Sequence, residues 1–232
     1  LEGGEGGHAG KATVTASGSI ETAGWKSDAI FAQSVGGGGG TGGSVTSSLL
    51  QTDNSLSIGV GGNGGKGNWA DLVTVTNSAA LTTHGREAHG IHAESLGGGG
   101  GDGGFAGIDQ SAVIDAATSL IGSKWKNGDT EDKKAATKLS SLVGGTGGEG
   151  GTGGEVAVTN HGAIETYGER SYGITAKSTG GGGGNGGMVV AGSIATEGSS
   201  NSLSVNVGGD GGEGNVAKAV NVTSDGTIHT RG

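Results

Sequence analysis

The chain has 232 residues, of which 59 are glycine, with no proline, no cysteine and a net charge of −9. The missing cysteines exclude a disulfide framework and cysteine-ligated zinc, and the acidic balance argues against a nucleic-acid partner. No apolar run approaches the length of a membrane span.

The glycine is concentrated in a block that occurs four times. The block covers 2–43, 60–104, 143–187 and a shortened last copy, 207–232. Between the copies lie the inserts 44–59, 105–142 and 188–206. The low share of apolar residues in the chain favours disorder. A disordered chain, however, has little reason to keep so regular a block. We therefore predict that 1–232 form a single ordered repeat region, a segment of a longer protein.

Within each block the glycines follow a three-residue period. In one run, side chains stand at Thr146, Glu149 and Thr152, and every residue between them is glycine. A helix with three residues per turn has polyproline-II geometry and leaves its backbone donors free. We predict short polyglycine-II helices that hydrogen-bond to one another, with flexible linkers as the alternative. The structural glycines of the pentaglycine runs are Gly36, Gly40, Gly97, Gly101, Gly180 and Gly184.

Short segments that alternate apolar and β-branched polar residues stand between the glycine runs. This pattern favours half-buried strands. Three such strands per repeat, separated by fixed turns, predict an all-β parallel β-helix in which equivalent residues stack as ladders; a β-sandwich is the alternative. The predicted ladders are Val14/Val75/Val158/Val222, Ile20/Leu81/Ile164/Ile228 and Ile30/Ile91/Ile174.

The longest insert, 105–142, has an ordinary composition and helical spacing over 109–121 and 130–142, which predicts a helical hairpin. Lys124, Trp125 and Lys126 lie near its tip. An exposed aromatic residue flanked by cations is common at contact surfaces, so these three are the predicted partner-binding residues. The alternative is that Trp125 caps its own hairpin. The two shorter inserts carry strand-like pieces compatible with an additional coil.

Catalytic and metal-binding motifs are missing from the sequence. The Walker pattern and the nucleophile elbow do not occur, and G-x-G-x-x-G matches arise by chance in so glycine-rich a chain. His89 and His92 are three residues apart around a predicted strand, so we expect them not to share a face. Asp102 and Asp210 lack the apolar residue of the calcium β-roll pattern and are expected to be solvated. We predict no enzymatic activity, cofactor or metal.

The end of each block carries a family resemblance. The pattern G-I-x-A-x-S-x-G, followed by further glycines, occurs at 29–36, 90–97 and 173–180, although the first copy has Ala29 in place of the first glycine. This string resembles the repeat of autotransporter (adhesin-type) passenger domains of Gram-negative bacteria. The resemblance implies a right-handed β-helix, secretion to the cell surface, and a C-terminal membrane barrel outside this chain.

The function expected from this resemblance is that of a structural and adhesive stalk, which displays binding elements to a host-cell or surface ligand and has a capacity for self-association. The alternative is a phage tail receptor-binding adhesin, in which packed polyglycine-II helices form the core. A passenger fragment that carries an enzyme is a distant third. The strands between the glycine runs favour the stalk, because a tip made of glycine helices needs few strand ladders.

Overall fold

A computed structural model describes residues 1–47, 55–108, 137–191 and 201–232. Within these ranges the chain is all-β, with short strands and no helix. The strands, numbered β1 to β17, form five sheets in which every neighbouring pair is parallel. Equivalent strands of successive repeats lie side by side, an arrangement compatible with a parallel β-helix.

Each of the first three repeats contributes one strand to each sheet in the same order along the chain, and the shortened last repeat contributes one strand to each of the first two sheets. The first sheet contains β1 (Ala12–Ala16), β6 (Val73–Asn77), β11 (Val156–Asn160) and β16 (Val220–Ser224). The second contains β2 (Ser19–Thr22), β7 (Ala80–Thr83), β12 (Ile164–Thr166) and β17 (Ile228–Thr230). The third contains β3 (Ile30–Val35), β8 (Ile91–Leu96) and β13 (Ile174–Thr179). The fourth contains β4 (Val45–Ser47), β9 (Ala106–Ile108) and β14 (Val189–Val190), and the fifth β5 (Ser55–Val60), β10 (Thr137–Val143) and β15 (Asn201–Val207).

The three predicted ladders are confirmed by the strand register. Val75 pairs with Val14 on one side and Val158 on the other, and the Leu81 and Ile91 ladders follow the same rule. The inward residues of β8 are Ile91, Ala93 and Ser95, all fully buried. Stacked aliphatic side chains of the first three sheets thus form one apolar core, and their removal from water is the main driving force for folding.

Buried polar side chains also form ladders, and the asparagine and serine ladders of the first and third sheets are hydrogen-bonded. The Asn77 amide nitrogen donates to Asn160 Oδ1 (2.7 Å) and to the Ala79 carbonyl (3.0 Å). The Ser95 hydroxyl donates to the Asp71 carbonyl (2.9 Å) and accepts the Gly154 N–H (2.8 Å). Because an unpaired buried polar group costs about 1–3 kcal/mol, these bonds fix the register between repeats.

Backbone hydrogen bonds join the glycine runs to one another. Equivalent runs of neighbouring repeats bond in parallel, as where the Gly36 N–H donates to the Leu96 carbonyl (2.8 Å). The two runs within a repeat bond in antiparallel fashion, and the set in the first repeat is Gly37 to Gly7, Gly40 to Gly4 and Gly43 to Leu1. The third residue of each triplet carries its side chain outward, and Asn63, Asp102 and Glu149 are all exposed. We call these connected runs the glycine layer.

Close approach of the runs explains why two residues of each triplet are glycine. A Cβ added to Gly98 would overlap the Gly37 carbonyl oxygen. A Cβ on Gly99, which lies in the outward phase, would meet no atom closer than the Gly182 oxygen at 3.8 Å. The three-residue period therefore arises because two positions of each triplet face a neighbouring backbone and the third does not.

The inserts contribute strands to the fourth and fifth sheets, and the strand-like pieces predicted in the two shorter inserts lie in β5 and β15. The helix predicted over 130–142 is wrong at 137–142, because this segment belongs to β10 and pairs with both β5 and β15. Pairing on both sides and burial of Ser140 and Leu142 outweigh the helical spacing. The rest of the predicted helical hairpin, 109–136, lies outside the described residues.

Candidate functional site

The predicted structural glycines all lie in the glycine layer. The Gly40, Gly101 and Gly184 carbonyls accept the N–H groups of Gly65 (2.8 Å), Gly148 (2.7 Å) and Gly212 (2.7 Å), respectively. The Gly36 and Gly97 N–H groups donate to the next repeat, and a Cβ on Gly180 would overlap the Asn215 carbonyl oxygen. Their part in the structure is thus contact between backbones.

The predicted partner-binding residues Lys124, Trp125 and Lys126 lie outside the described residues. The structure does describe the two strands that flank the segment carrying them. This segment joins β9 of the fourth sheet to β10 of the fifth, and the segments 48–54 and 192–200 join the corresponding strands of their own repeats. All three variable segments therefore begin and end at equivalent points of the stack.

A repeated tight turn separates the second sheet from the third. Its residues Lys26, Glu87 and Arg170 have φ angles of 53°, 54° and 57°, in the left-handed region that costs a non-glycine residue roughly 1–2 kcal/mol. The turn is held from inside by the buried Thr83 hydroxyl, which donates to the Ala88 carbonyl (2.9 Å). Such strain persists only where the surroundings determine it, and it marks candidate functional positions.

The left-handed turn residues form a ladder of alternating charge. The Glu87 carboxylate lies 3.5 Å from Lys26 Nζ in the preceding repeat and 3.8 Å from Arg170 Nη1 in the following one. Both cations are well exposed, so each pair contributes about 0–1 kcal/mol. The ladder aligns the three turns and thereby the residues that follow them.

Directly after these turns, two histidines and an aspartate come together. Asp28, His89 and His92 each present a ligand atom within 4.8 Å of the others. His92 Nδ1 lies 3.0 Å from Asp28 Oδ2, and its Nε2 lies 3.0 Å from Glu94 Oε1. The side chains of His92, Asp28 and Glu94 are only 20%, 12% and 16% exposed, so solvent reaches the cluster from one side.

The environment of Glu94 favours its ionised form. Burial raises the pKa of Glu94, but hydrogen bonds from His92 and Gln33 and attraction to His92 lower it, and the net pKa lies below its ordinary value of 4.5. Glu94 is therefore a carboxylate at neutral pH. His92 therefore has a carboxylate oxygen 3.0 Å from each of its ring nitrogens.

Aromatic rings and charges surround this cluster. Phe31 meets His92 edge-on at 5.1 Å between ring centroids, and Tyr172 stacks on His89 at 5.2 Å. Together with Lys26 and the other turn residues they line a groove of about 960 Å³. Phe31 and Tyr172 are 54% and 60% exposed, and the groove is open to ligands from solvent.

The sequence analysis missed this cluster. It expected His89 and His92 not to share a face, and that expectation is wrong, because their ring centroids are 5.3 Å apart. His89 precedes β8 and lies in the bend after the turn, where strand alternation does not apply. Asp28 reaches both histidines only because the first two repeats stack. Aligning the repeats, which places Asp28 above His89, was the signal that could have found it.

Comparison with known proteins gives no relative for this chain: no family model, no curated protein and no solved structure matches it. In the described ranges, no helix is long and apolar enough to cross a membrane.

Proposed function

We propose that this chain is a surface-exposed structural and adhesive repeat segment of a secreted bacterial passenger protein. In this proposal it forms a right-handed parallel β-helix with a polyglycine-II layer and acts as a rigid stalk without enzymatic activity. The observation that carries the proposal is the continuous bonding between repeats. Strand ladders, buried asparagines and glycine runs all connect each repeat to the next, so bending would break many bonds at once.

The backbone of the glycine runs supports polyglycine-II geometry. Donors to the neighbouring repeat recur at every third residue, as at Gly36, Gly39 and Gly42. In the described part of the chain the one glycine with positive φ is Gly18, in a turn. Regular three-residue bonding at negative or extended φ is what polyglycine-II, the glycine counterpart of polyproline II, requires.

The adhesive part of the proposal rests on the variable segments. Repeat proteins keep a constant scaffold and place specificity in insertions on one face. Here 48–54, 109–136 and 192–200 interrupt the scaffold at the same point of each repeat, and the second of them is the longest. We therefore assign partner contact to 109–136, which contains Lys124, Trp125 and Lys126.

A receptor-binding tip of a phage tail is the second candidate, and the glycine layer favours it. Such a tip uses packed glycine helices as its core and its loops as the contact surface. The five strand sheets argue for the stalk, because most of the core is made of their side chains.

Exchanging one variable segment tests the proposal. Residues 109–136 are replaced by residues 48–54, which already join the fourth and fifth sheets in the first repeat. The wild-type chain, coated on beads, should adhere to cultured epithelial cells, and the exchanged chain should keep its circular dichroism and unfolding temperature but lose adhesion. Undiminished adhesion of the folded, exchanged chain would contradict the assignment, and a wild-type chain that binds no cells would contradict the adhesive function.

A further inference from the structure

We propose that Asp28, His89 and His92 bind one divalent transition-metal ion at the junction of the first two repeats. The three ligand atoms lie within 4.8 Å of one another. Two ligands of one ion with bonds of about 2.0–2.2 Å are at most about 4.4 Å apart, so a turn of the His89 ring is needed to bring all three onto a single ion. Two imidazoles and one carboxylate suit Zn²⁺ and its neighbours in the first transition row better than Ca²⁺ or Mg²⁺. The inference is independent of the proposed stalk function.

Asp28 is already held in the orientation that a metal ligand needs. Its Oδ1 accepts the backbone N–H of His89 at 2.6 Å. The remaining oxygen, Oδ2, faces His92 Nδ1 at 3.0 Å, a separation close to that of two atoms sharing one ion. Binding through Oδ2 would therefore need little movement of the carboxylate.

His92 has the outer partner that metal-binding histidines usually have. Its Nε2 faces Glu94 Oε1 at 3.0 Å, and the other Glu94 oxygen accepts a hydrogen bond from Gln33 Nε2 at 3.0 Å. When Nε2–H donates to Glu94 and Nδ1 carries no proton, the lone pair of Nδ1 points towards Asp28 Oδ2, and a metal ion between these two atoms would bind both. Carboxylates in this outer position orient the ring and raise its basicity.

His89 completes the set from the neighbouring bend. In the structure its Nδ1 accepts the Tyr172 backbone N–H at 3.0 Å. Tyr172 is exposed, so water can accept that N–H when the His89 ring turns towards the ion. Solvent in the open groove supplies the remaining ligands.

The repeat itself does not require these histidines. In the third sheet the position of His92 is taken by Phe31 in the preceding repeat and by Thr175 in the following one. The position of His89 is taken by Tyr172. Two other histidines in the described ranges form single, more exposed pairs with a carboxylate, His84 with Glu21 and His161 with Asp225. Only at the first junction do the described residues offer two imidazoles and a carboxylate together.

The equivalent residues of the next repeat, Tyr172 and Thr175, supply substitutions that should leave the fold intact. The full chain is freed of metal with a chelator and titrated with Zn²⁺ at about pH 7.5, by calorimetry and by thermal unfolding. The wild type should bind one Zn²⁺ tightly and unfold at a higher temperature in its presence. His89→Tyr and His92→Thr, which copy the next repeat, should weaken binding at least 100-fold while unfolding like the wild type in chelator. His161→Ala should bind like the wild type.

Two further measurements separate a built site from surface attraction. Glu94→Gln should weaken Zn²⁺ binding about 10–100-fold. Ca²⁺ and Mg²⁺ should not raise the unfolding temperature. The proposal is overturned if Zn²⁺ does not bind, if the two histidine variants bind it as tightly as the wild type, or if Ca²⁺ binds equally well.

Discussion

The strand sheets and the glycine layer both join one repeat to the next, but side chains make the contacts in the sheet core and backbone atoms make them in the glycine layer. In the sheets, equivalent side chains such as Val75 and Val158 meet in an apolar core. In the glycine layer, the contact is between backbones, and most of its inward positions have no room for a Cβ. A side-chain core tolerates some change in shape at a graded cost, whereas a backbone contact has no side chain that can adjust.

The largest effect should therefore come from adding one methyl group to the glycine layer. Gly98→Ala places a Cβ against the Gly37 carbonyl, whereas Gly99→Ala places one no closer than 3.8 Å to the Gly182 oxygen, which is an ordinary van der Waals contact. We expect Gly98→Ala to destabilise the chain by about 3 kcal/mol or more, since neither backbone can yield easily, and Gly99→Ala to change stability by less than about 0.5 kcal/mol. Chemical unfolding monitored by circular dichroism measures both, and equal effects of the two substitutions would show that the runs do not pack as described.

The matching test in the strand core uses Leu81, which is fully buried in the second sheet. Leu81→Ala removes its stack with Ile20 and Ile164 and should cost about 2–5 kcal/mol. Thr82→Ala, on the outward side of the same strand, is the control and should cost less than about 0.5 kcal/mol. If Leu81→Ala were as mild as its control, the side-chain core would contribute little beside the glycine layer.

The smallest expected effect is the dependence of stability on the ionisation of Glu94 in β8. The pKa of Glu94 is lowered in the folded chain, so its stabilising contribution is fully present above the ordinary pKa and is lost as the pH falls through the folded pKa. Glu94→Gln cannot ionise and should lack this contribution. The difference in unfolding temperature between wild type and variant should thus be constant above the ordinary pKa of 4.5 and shrink as the pH is lowered below it. A difference that stays constant below that value would argue against an ionised, hydrogen-bonded Glu94.

The sequence predicted the first three sheets well because their ladders depend on local alternation and on repetition. Val14, Ile20 and Ile30 each recur with their neighbours in later copies, so the register could be predicted without coordinates. In the fifth sheet, strand-like pieces were predicted at Leu56–Ser57 and Leu203–Ser204, but Leu139–Ser140, which shares their pattern and stacks between them, was assigned to a helix. The variable segments beside these short strands obscured their repetition.

The Asp28, His89 and His92 cluster was harder to predict, because it depends on contacts between repeats. Two of its members belong to one repeat and the third to another, and neither histidine recurs at the equivalent position. Periodicity identifies what repeats share, and a functional site is formed by residues that they do not share. Only the stacking of one turn on the next brings these side chains into contact.

The central claim is that the glycine layer is ordered and that two of every three backbone N–H groups in its runs donate hydrogen bonds. Amide hydrogen exchange resolved by residue tests this claim most directly. The N–H groups of Gly36, Gly37, Gly39 and Gly40 donate to backbone carbonyls, whereas that of Gly38 donates to no backbone acceptor in the described part of the chain. The account predicts two slowly exchanging amides followed by one fast amide, with the same phase at 97–101. Uniform exchange at the rate of a free peptide would contradict it and would make the runs flexible linkers.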